Sequence, residues 1–178
     1  MKRGYTHIYT GGGKGKTTAG MGLAVRAAVS GLRVCVFQFL KKRGSSADNT
    51  LSLPRLKVVC FDEVHPMFCK RVGGRESGVW RKLKKKIEKD FEKAKKIVNS
   101  KRYDVVMLDE ILNCVSGKFL DEKRLLALIK AKPPRLELVL TGRGATKRLV
   151  ASSDYVTRFS KIKHPFDRGI AARKGIEY

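Results

Sequence analysis

The chain has 178 residues, 42% of them hydrophobic, and a formal net charge of +24 from 40 Lys and Arg against 16 Asp and Glu. That length suits a single domain, residues 1–178, with a substantial core, and no apolar run approaches the roughly 20 residues that a membrane helix requires. Such a charge attracts polyanions: triphosphate, nucleic acid or an acidic protein.

Met1-Lys2-Arg3-Gly4 leads directly into the first strand-like run, so no signal peptide is expected. That run, Thr6 to Thr10, is rich in aromatic and β-branched residues. Gly11-Gly12-Gly13-Lys14-Gly15-Lys16-Thr17-Thr18 follows. It has the parts of a phosphate-binding loop: glycines that free backbone amides, a lysine charge and a hydroxyl for a metal ion. The ordinary spacing, G-x-x-x-x-G-K-[ST], would put its first glycine at Thr10. Here the pattern is G-x-x-x-G-K-T-T, one residue shorter, which implies a tighter cradle and an unusual triphosphate pose. Thr17 to Ser30 then reads as a buried helix closed by Gly31. Strand, glycine loop and helix together aim free N–H groups and the positive end of the helix at an anion.

Arg33 to Phe39 and Leu56 to Phe61 read as strands. The polar loop Lys41 to Ser46 and the long Gly- and Pro-bearing stretch Asp62 to Gly78 have the character of binding loops. From Val79 to Ser100, Trp80, Leu83, Ile87, Phe91, Ala94 and Val98 recur at helical spacing, with lysines covering the remaining face. That face reads as a solvated helix surface. A nucleic-acid patch is the sharper alternative, but no aromatic residues are interleaved on it to stack bases.

Tyr103 to Leu108 is an apolar strand that delivers Asp109-Glu110 at its tip. A carboxylate pair so placed, in a chain with a phosphate loop, reads as a Walker B site holding Mg²⁺ (or Mn²⁺) with Thr17 or Thr18 and phosphate oxygens. Helix Asp121 to Lys130 and strand Leu136 to Thr141 follow, and then Thr141-Gly142-Arg143-Gly144. There Arg143 can fork onto a phosphate or carboxylate; a plain turn with an exposed arginine is the alternative. A short helix near Ala145 to Ala151 and a strand Tyr155 to Phe159 complete the series. His164, alone in Lys163-His164-Pro165-Phe166-Asp167, reads as structural. Cys35, Cys60, Cys69 and Cys114 are scattered without C-x-x-C spacing, so reduced cytoplasmic thiols are expected rather than disulfides or a zinc site. The alternation of strands and helices predicts an α/β, P-loop (RecA-like) fold: one mostly parallel sheet with helices on both faces and ligands at the carboxyl ends of the strands.

These motifs together resemble the P-loop corrinoid adenosyltransferases. The resemblance covers nearly the whole chain. It rests on the short loop Gly11 to Thr18, Val36 to Lys41, Arg75-Glu76-Ser77, Val106 to Glu110 and Leu140 to Gly144. Lys163 to Ile170 and Lys174 to Tyr178 complete it. It implies transfer of the 5′-deoxyadenosyl group of ATP to Co(I) of a corrinoid, cob(I)yrinic acid a,c-diamide or cob(I)alamin, with release of triphosphate. The nucleotide would lie in the loop in the reverse of the common direction. Lys14, Lys16 and Glu110 become the candidate catalytic residues. Gly11, Gly12, Gly13, Lys14, Gly15, Lys16, Thr17, Thr18, Phe68, Arg75 and Arg143 would contact ATP or corrinoid, and Thr17, Asp109 and Glu110 the metal. A reduced flavoprotein as electron donor and a homodimer are the family's habits.

The sequence departs from the family in two places. The family carries F-T-W before R-E-S, where this chain reads Phe68-Cys69-Lys70 before Arg75-Glu76-Ser77. A lysine thus stands where tryptophan would cover the corrin, and Trp80 is the candidate substitute. The family's frequent N-terminal lid helix has no counterpart in Met1 to Gly4. Two other classes remain as competing expectations. A nucleic-acid-dependent P-loop ATPase is motivated by the charge, and a small-molecule kinase is disfavoured by the short loop.

Overall fold

The computed structural model describes residues 2–46, 48, 51–63 and 77–177. Its strands are β1 (Thr6–Thr10), β2 (Val34–Gln38), β3 (Leu56–Cys60), β4 (Val105–Asp109), β5 (Glu137–Thr141) and β6 (Tyr155–Arg158). They form one sheet in the order β3-β2-β4-β5-β1-β6, and every pairing is parallel. The helices are α1 (Lys16–Val29), α2 (Gly78–Asn99), α3 (Ile111–Ser116), α4 (Glu122–Ala131) and α5 (Lys147–Ala151). The expected α/β fold is therefore present, with all six strands parallel rather than most of them.

Parallel strands need crossover connections, and these cover both faces of the sheet. Side chains alternate accordingly. Val106, Leu108, Leu138 and Leu140 join Ile8, Cys35 and Phe37 in one core cluster with Ile87, Phe91, Ala94 and Val98 of α2 and Leu125 and Leu128 of α4. Val105, Met107 and Val139 join Val34 and Val36 in the other cluster, with Met21, Ala24 and Ala28 of α1. Both faces are apolar, so β2 and β4 read as unbroken hydrophobic runs, as strands buried on two sides must.

The helix ends follow local chemistry. α1 closes in a Schellman turn: Gly31 N–H donates to the Ala28 carbonyl and Leu32 N–H to that of Ala27, both at 3.0 Å. Gly31 has φ 89°, which a residue without Cβ adopts at little cost. α2 starts where the Ser77 side chain accepts from Trp80 N–H at 3.1 Å. Its apolar stripe is the one its spacing predicts, and part of its basic face is engaged. Asp90 is buried, and Lys86 at 3.1 Å and Lys93 at 2.7 Å clamp it. Arg124 of α4 reaches Glu92 at 2.8 Å.

Two elements escape the sequence reading. α3 is six residues long, too short for a periodic signal. A 3₁₀ turn spans Pro165–Arg168, and His164 caps it by accepting from Phe166 N–H at 3.1 Å, which is the structural role expected of that histidine. The Asp62 to Gly78 loop lies mostly outside the described residues, and so does Cys69. Cys35, Cys60 and Cys114 are free thiols. Among the described residues no helix is long and apolar enough to cross a membrane.

Glu63 sits at the edge of this frame. It is 2% exposed, and its Oε2 accepts from Leu40 N–H at 2.9 Å. Burial pushes its carboxyl up to about 7, opposed by the Leu40 hydrogen bond and the Lys86 charge. The folded protein therefore holds a proton that the unfolded chain releases at the ordinary value of 4.5. Stability from this group falls as pH rises between those two values. The expected loss is up to about 3 kcal/mol. Glu63→Gln keeps an acceptor and cannot ionise, so urea unfolding from about pH 5 to about pH 8 should show a flatter stability profile for that variant than for the parent.

Candidate active site

The phosphate loop is braced from outside. Gly13 N–H donates to the Phe159 carbonyl at 2.8 Å, and Phe159 N–H donates to that of Thr10 at 2.7 Å. A Cβ on Gly11 would lie 2.4 Å from the Phe159 carbonyl oxygen, and one on Gly13 would lie 2.8 Å from Ser160 backbone. Gly11 and Gly15 both have φ 111°. Glycine is thus required twice over, by backbone conformation and by the wall that follows β6. The loop is one residue short, and Phe159-Ser160 holds it in that tight course.

Lys16 is 9% exposed, and its Nζ donates to the Gly13 carbonyl at 2.7 Å across the loop. Burial lowers its pKa, and the Arg143 charge lowers it further, while Glu110 and Asp109 oppose the shift. Lys14 pairs with Glu177 at 3.1 Å, which ties the C-terminal segment to the loop. Thr18 is exposed in the first turn of α1.

Three strand tips meet at Asp109, the last residue of β4, which is fully buried. Its Oδ1 accepts from Thr17 Oγ1 at 2.9 Å and from Thr141 Oγ1 at 2.6 Å. Its Oδ2 lies 2.8 Å from Lys41 Nζ, just past β2. Sheet order explains the meeting: β5 stands between β1 and β4, so Thr141 reaches Asp109 directly, while Thr17 reaches across from α1. Glu110 follows with φ 62°, and its N–H donates to Thr141 Oγ1 at 3.0 Å. Glu110 Oε2 is buried without a hydrogen-bond partner. Burial, then the Asp109 charge, pushes its carboxyl up to about 7, while Lys41, Lys16 and Arg143 oppose this. Glu110 stands at the start of α3, but its side chain makes no cap hydrogen bond to that helix.

Arg143 is exposed on the turn after β5, and its N–H donates to Asn113 Oδ1. Gly142 has φ 132°, and a Cβ there would lie 2.9 Å from Asn113. The structure therefore brings Gly11 to Thr17, Asp109, Glu110 and Arg143 to one end of the sheet. Phe68, Lys70, Arg75 and Glu76 lie outside the described residues. Trp80 is turned onto Phe119, with ring centroids 5.4 Å apart, and Lys84 lies over its ring. Sequence reasoning assigned no role to Lys41, the Thr141 hydroxyl or Asn113. A usable signal existed for Thr141, a polar residue that closes a run of buried apolar ones.

A parallel sheet with a glycine loop and a buried carboxylate at its carboxyl ends defines a P-loop nucleotide-binding protein. Comparison with known proteins gives the family. The family model described as "ATP:corrinoid adenosyltransferase BtuR/CobO/CobP" matches residues 2–178. A protein named corrinoid adenosyltransferase from Sinorhizobium sp is 33% identical over 99% of this chain and 81% of its own length. One of the same name from Escherichia coli K12 is 30% identical over 99% and 87%. Corrinoid adenosyltransferase CobA of Salmonella typhimurium is likewise 30% identical over 99% and 87%. The chain belongs to the ATP:corrinoid adenosyltransferase family, whose reaction moves the adenosyl group of ATP to a corrinoid.

The Thr141 hydroxyl is the shared element of this site, since it donates to Asp109 and accepts from Glu110 N–H. Thr141→Val keeps the shape and removes both bonds. Leaving a buried carboxylate and a buried N–H without that partner should cost about 1–3 kcal/mol, read as a lower urea midpoint with an unchanged m-value.

Proposed function

We propose that residues 11–18 hold the triphosphate of ATP so that C5′ of the ribose, not the γ-phosphorus, faces the attacking atom. The observation that supports this reading is the shortened loop with its fixed wall: Gly11 and Gly13 have no room to swell toward Phe159 and Ser160. The cobalt lone pair of the Co(I) corrinoid attacks C5′. The C5′–oxygen bond breaks, and its electron pair leaves with triphosphate. No protein nucleophile is required, so the chain's task is alignment and charge stabilisation.

Lys16 and the loop amides meet the leaving triphosphate, and Lys14 and Arg143 flank it. Neutralising charge that grows on a leaving group is where a preorganised donor contributes most. Burial already weakens the hold of Lys16 on its proton, and an incoming phosphate restores it. The residues also fit a divalent ion. Thr17, Asp109 and Glu110 offer only oxygen, and Glu110 Oε2 is a buried oxygen that lacks a hydrogen-bond donor. Such donors suit Mg²⁺. When bound, that ion would neutralise phosphate charge. Among the described residues no three His, Cys, Asp or Glu side chains converge, so the rest of the shell would come from phosphate and water. Phe68 and Arg75 belong to the corrinoid side of the proposal. A reduced flavoprotein donor, a homodimer and a cytoplasmic setting complete it.

The deciding experiment is anaerobic incubation with MgATP and chemically reduced corrinoid. The expected products are intact triphosphate and the visible spectrum of a cobalt–carbon bond; ADP with phosphate would overturn the assignment, above all if DNA or RNA stimulated its release. Lys16→Ala should lower turnover by about 10²-fold or more, the usual consequence of losing one charge-stabilising donor. A variant with full turnover would remove Lys16 from the phosphate site.

A further inference from the structure

Lys41 is held in place with more care than a surface lysine needs. Leu40, just before it, has φ 52°, a conformation that branched residues rarely accept. The kink is enforced from the core side: Leu40 N–H donates to the buried Glu63 Oε2 at 2.9 Å, and Glu63 N–H donates to the Lys41 carbonyl at 2.9 Å. The result is a side chain only 17% exposed, with its ammonium 2.8 Å from Asp109 Oδ2 and 3.6 Å from Asp48. The other oxygen of Asp109 already takes two hydroxyls. The fully buried Asp109 carboxylate is thus neutralised by a tethered cation.

We propose that Lys41 is a positioning residue that serves as a built-in counter-cation: it occupies Asp109 in the nucleotide-free protein, so a divalent ion binds this site only together with the triphosphate. The inference rests on the reading of Asp109 and Glu110 as metal ligands. A bare divalent ion that approaches Asp109 meets an ammonium already there, and like charges at this range in a dry site repel strongly. A metal–triphosphate complex carries net negative charge, so the same ammonium attracts it. Binding order then follows from electrostatics, without any movement of the sheet. Without Lys41, Asp109 would lose its directly paired cation, and Lys16 and Arg143 would be the remaining positive charges acting on the acidic pair, an arrangement more open to metal.

Mn²⁺ serves as the probe, with its binding followed by electron paramagnetic resonance. In the nucleotide-free parent protein, Mn²⁺ should bind at this site no more tightly than about millimolar. Lys41→Met should tighten Mn²⁺ binding by about tenfold or more, and should reduce the dependence of Mn²⁺ binding on added ATP. Lys41→Gln can still hydrogen-bond Asp109 but carries no charge; it should tighten Mn²⁺ binding in the same direction and serves if the methionine variant does not fold. Unchanged or weaker Mn²⁺ affinity in both variants overturns the proposal, as does tight Mn²⁺ binding by the nucleotide-free parent that Glu110→Gln abolishes. A further measurement separates the two readings. If Mn²⁺ bound in the presence of ATP is insensitive to Glu110→Gln, the metal role of the pair fails and the Lys41 inference with it. If it is sensitive while the Lys41 variants leave metal-only binding unchanged, the Lys41 inference alone fails.

Discussion

The buried carboxylate of Asp109 is the constraint around which this end of the molecule is arranged. At 0% exposure it cannot be solvated, so every lone pair must be met by protein or ligand. Thr17 and Thr141 hydrogen-bond one oxygen and Lys41 sets its charge against the other, and each comes from a different part of the chain. The contact with Thr17 fixes the first turn of α1 relative to β4. The contact with Thr141 fixes β5 and, through Glu110 N–H, the start of α3. A single buried charge therefore sets the relative position of the phosphate loop, the acidic pair and the turn that carries Arg143.

The sheet order makes this possible. In a strictly sequential sheet, β1 and β4 would stand further apart or meet without an intermediary. Here β5 separates them, and its terminal residue is a threonine whose hydroxyl donates to Asp109 and accepts from Glu110 N–H, both at the tip of β4. β6 does the corresponding work on the outer side of β1. Phe159 and Ser160, which follow it, carry no charge and no catalytic side chain, yet they set the volume available to Gly11 and Gly13. The compactness of the loop is thus a property of the sheet edge as much as of the glycines.

What could be read from the sequence was whatever carries its own local signal. The glycine loop, the six strands, the long basic helix and Asp109-Glu110 all have a spacing or a composition that stands alone, and each occupies the expected place within a residue or two. α3 did not announce itself, because six residues begun by a left-handed Glu110 show no period. Lys41 and Asn113 were silent for another reason. Their roles come from partners 68 and 30 positions away, Asp109 and Arg143, and nothing near them in the chain encodes that pairing. Arg143 itself was left between a ligand contact and a plain turn. The structure leaves both open: its N–H is fixed by Asn113 Oδ1, and its side chain is exposed at the end of the sheet that carries the loop.

The charge of +24 is the chief motive for a nucleic-acid function. On α2 a good part of it is already committed. Lys86 and Lys93 hold a buried aspartate, Lys95 approaches Glu92 at 3.9 Å, and Lys84 lies over the Trp80 ring. The tryptophan that could have offered a stacking platform instead packs on Phe119. Base stacking on a basic face requires aromatic rings free to receive it, and this helix turns its aromatic residues inward. What remains is a diffuse positive field, which raises the local concentration of anions without selecting among them. The short loop and the oxygens of Asp109 and Glu110 differ from that field in kind, since packing and hydrogen bonds fix where they stand.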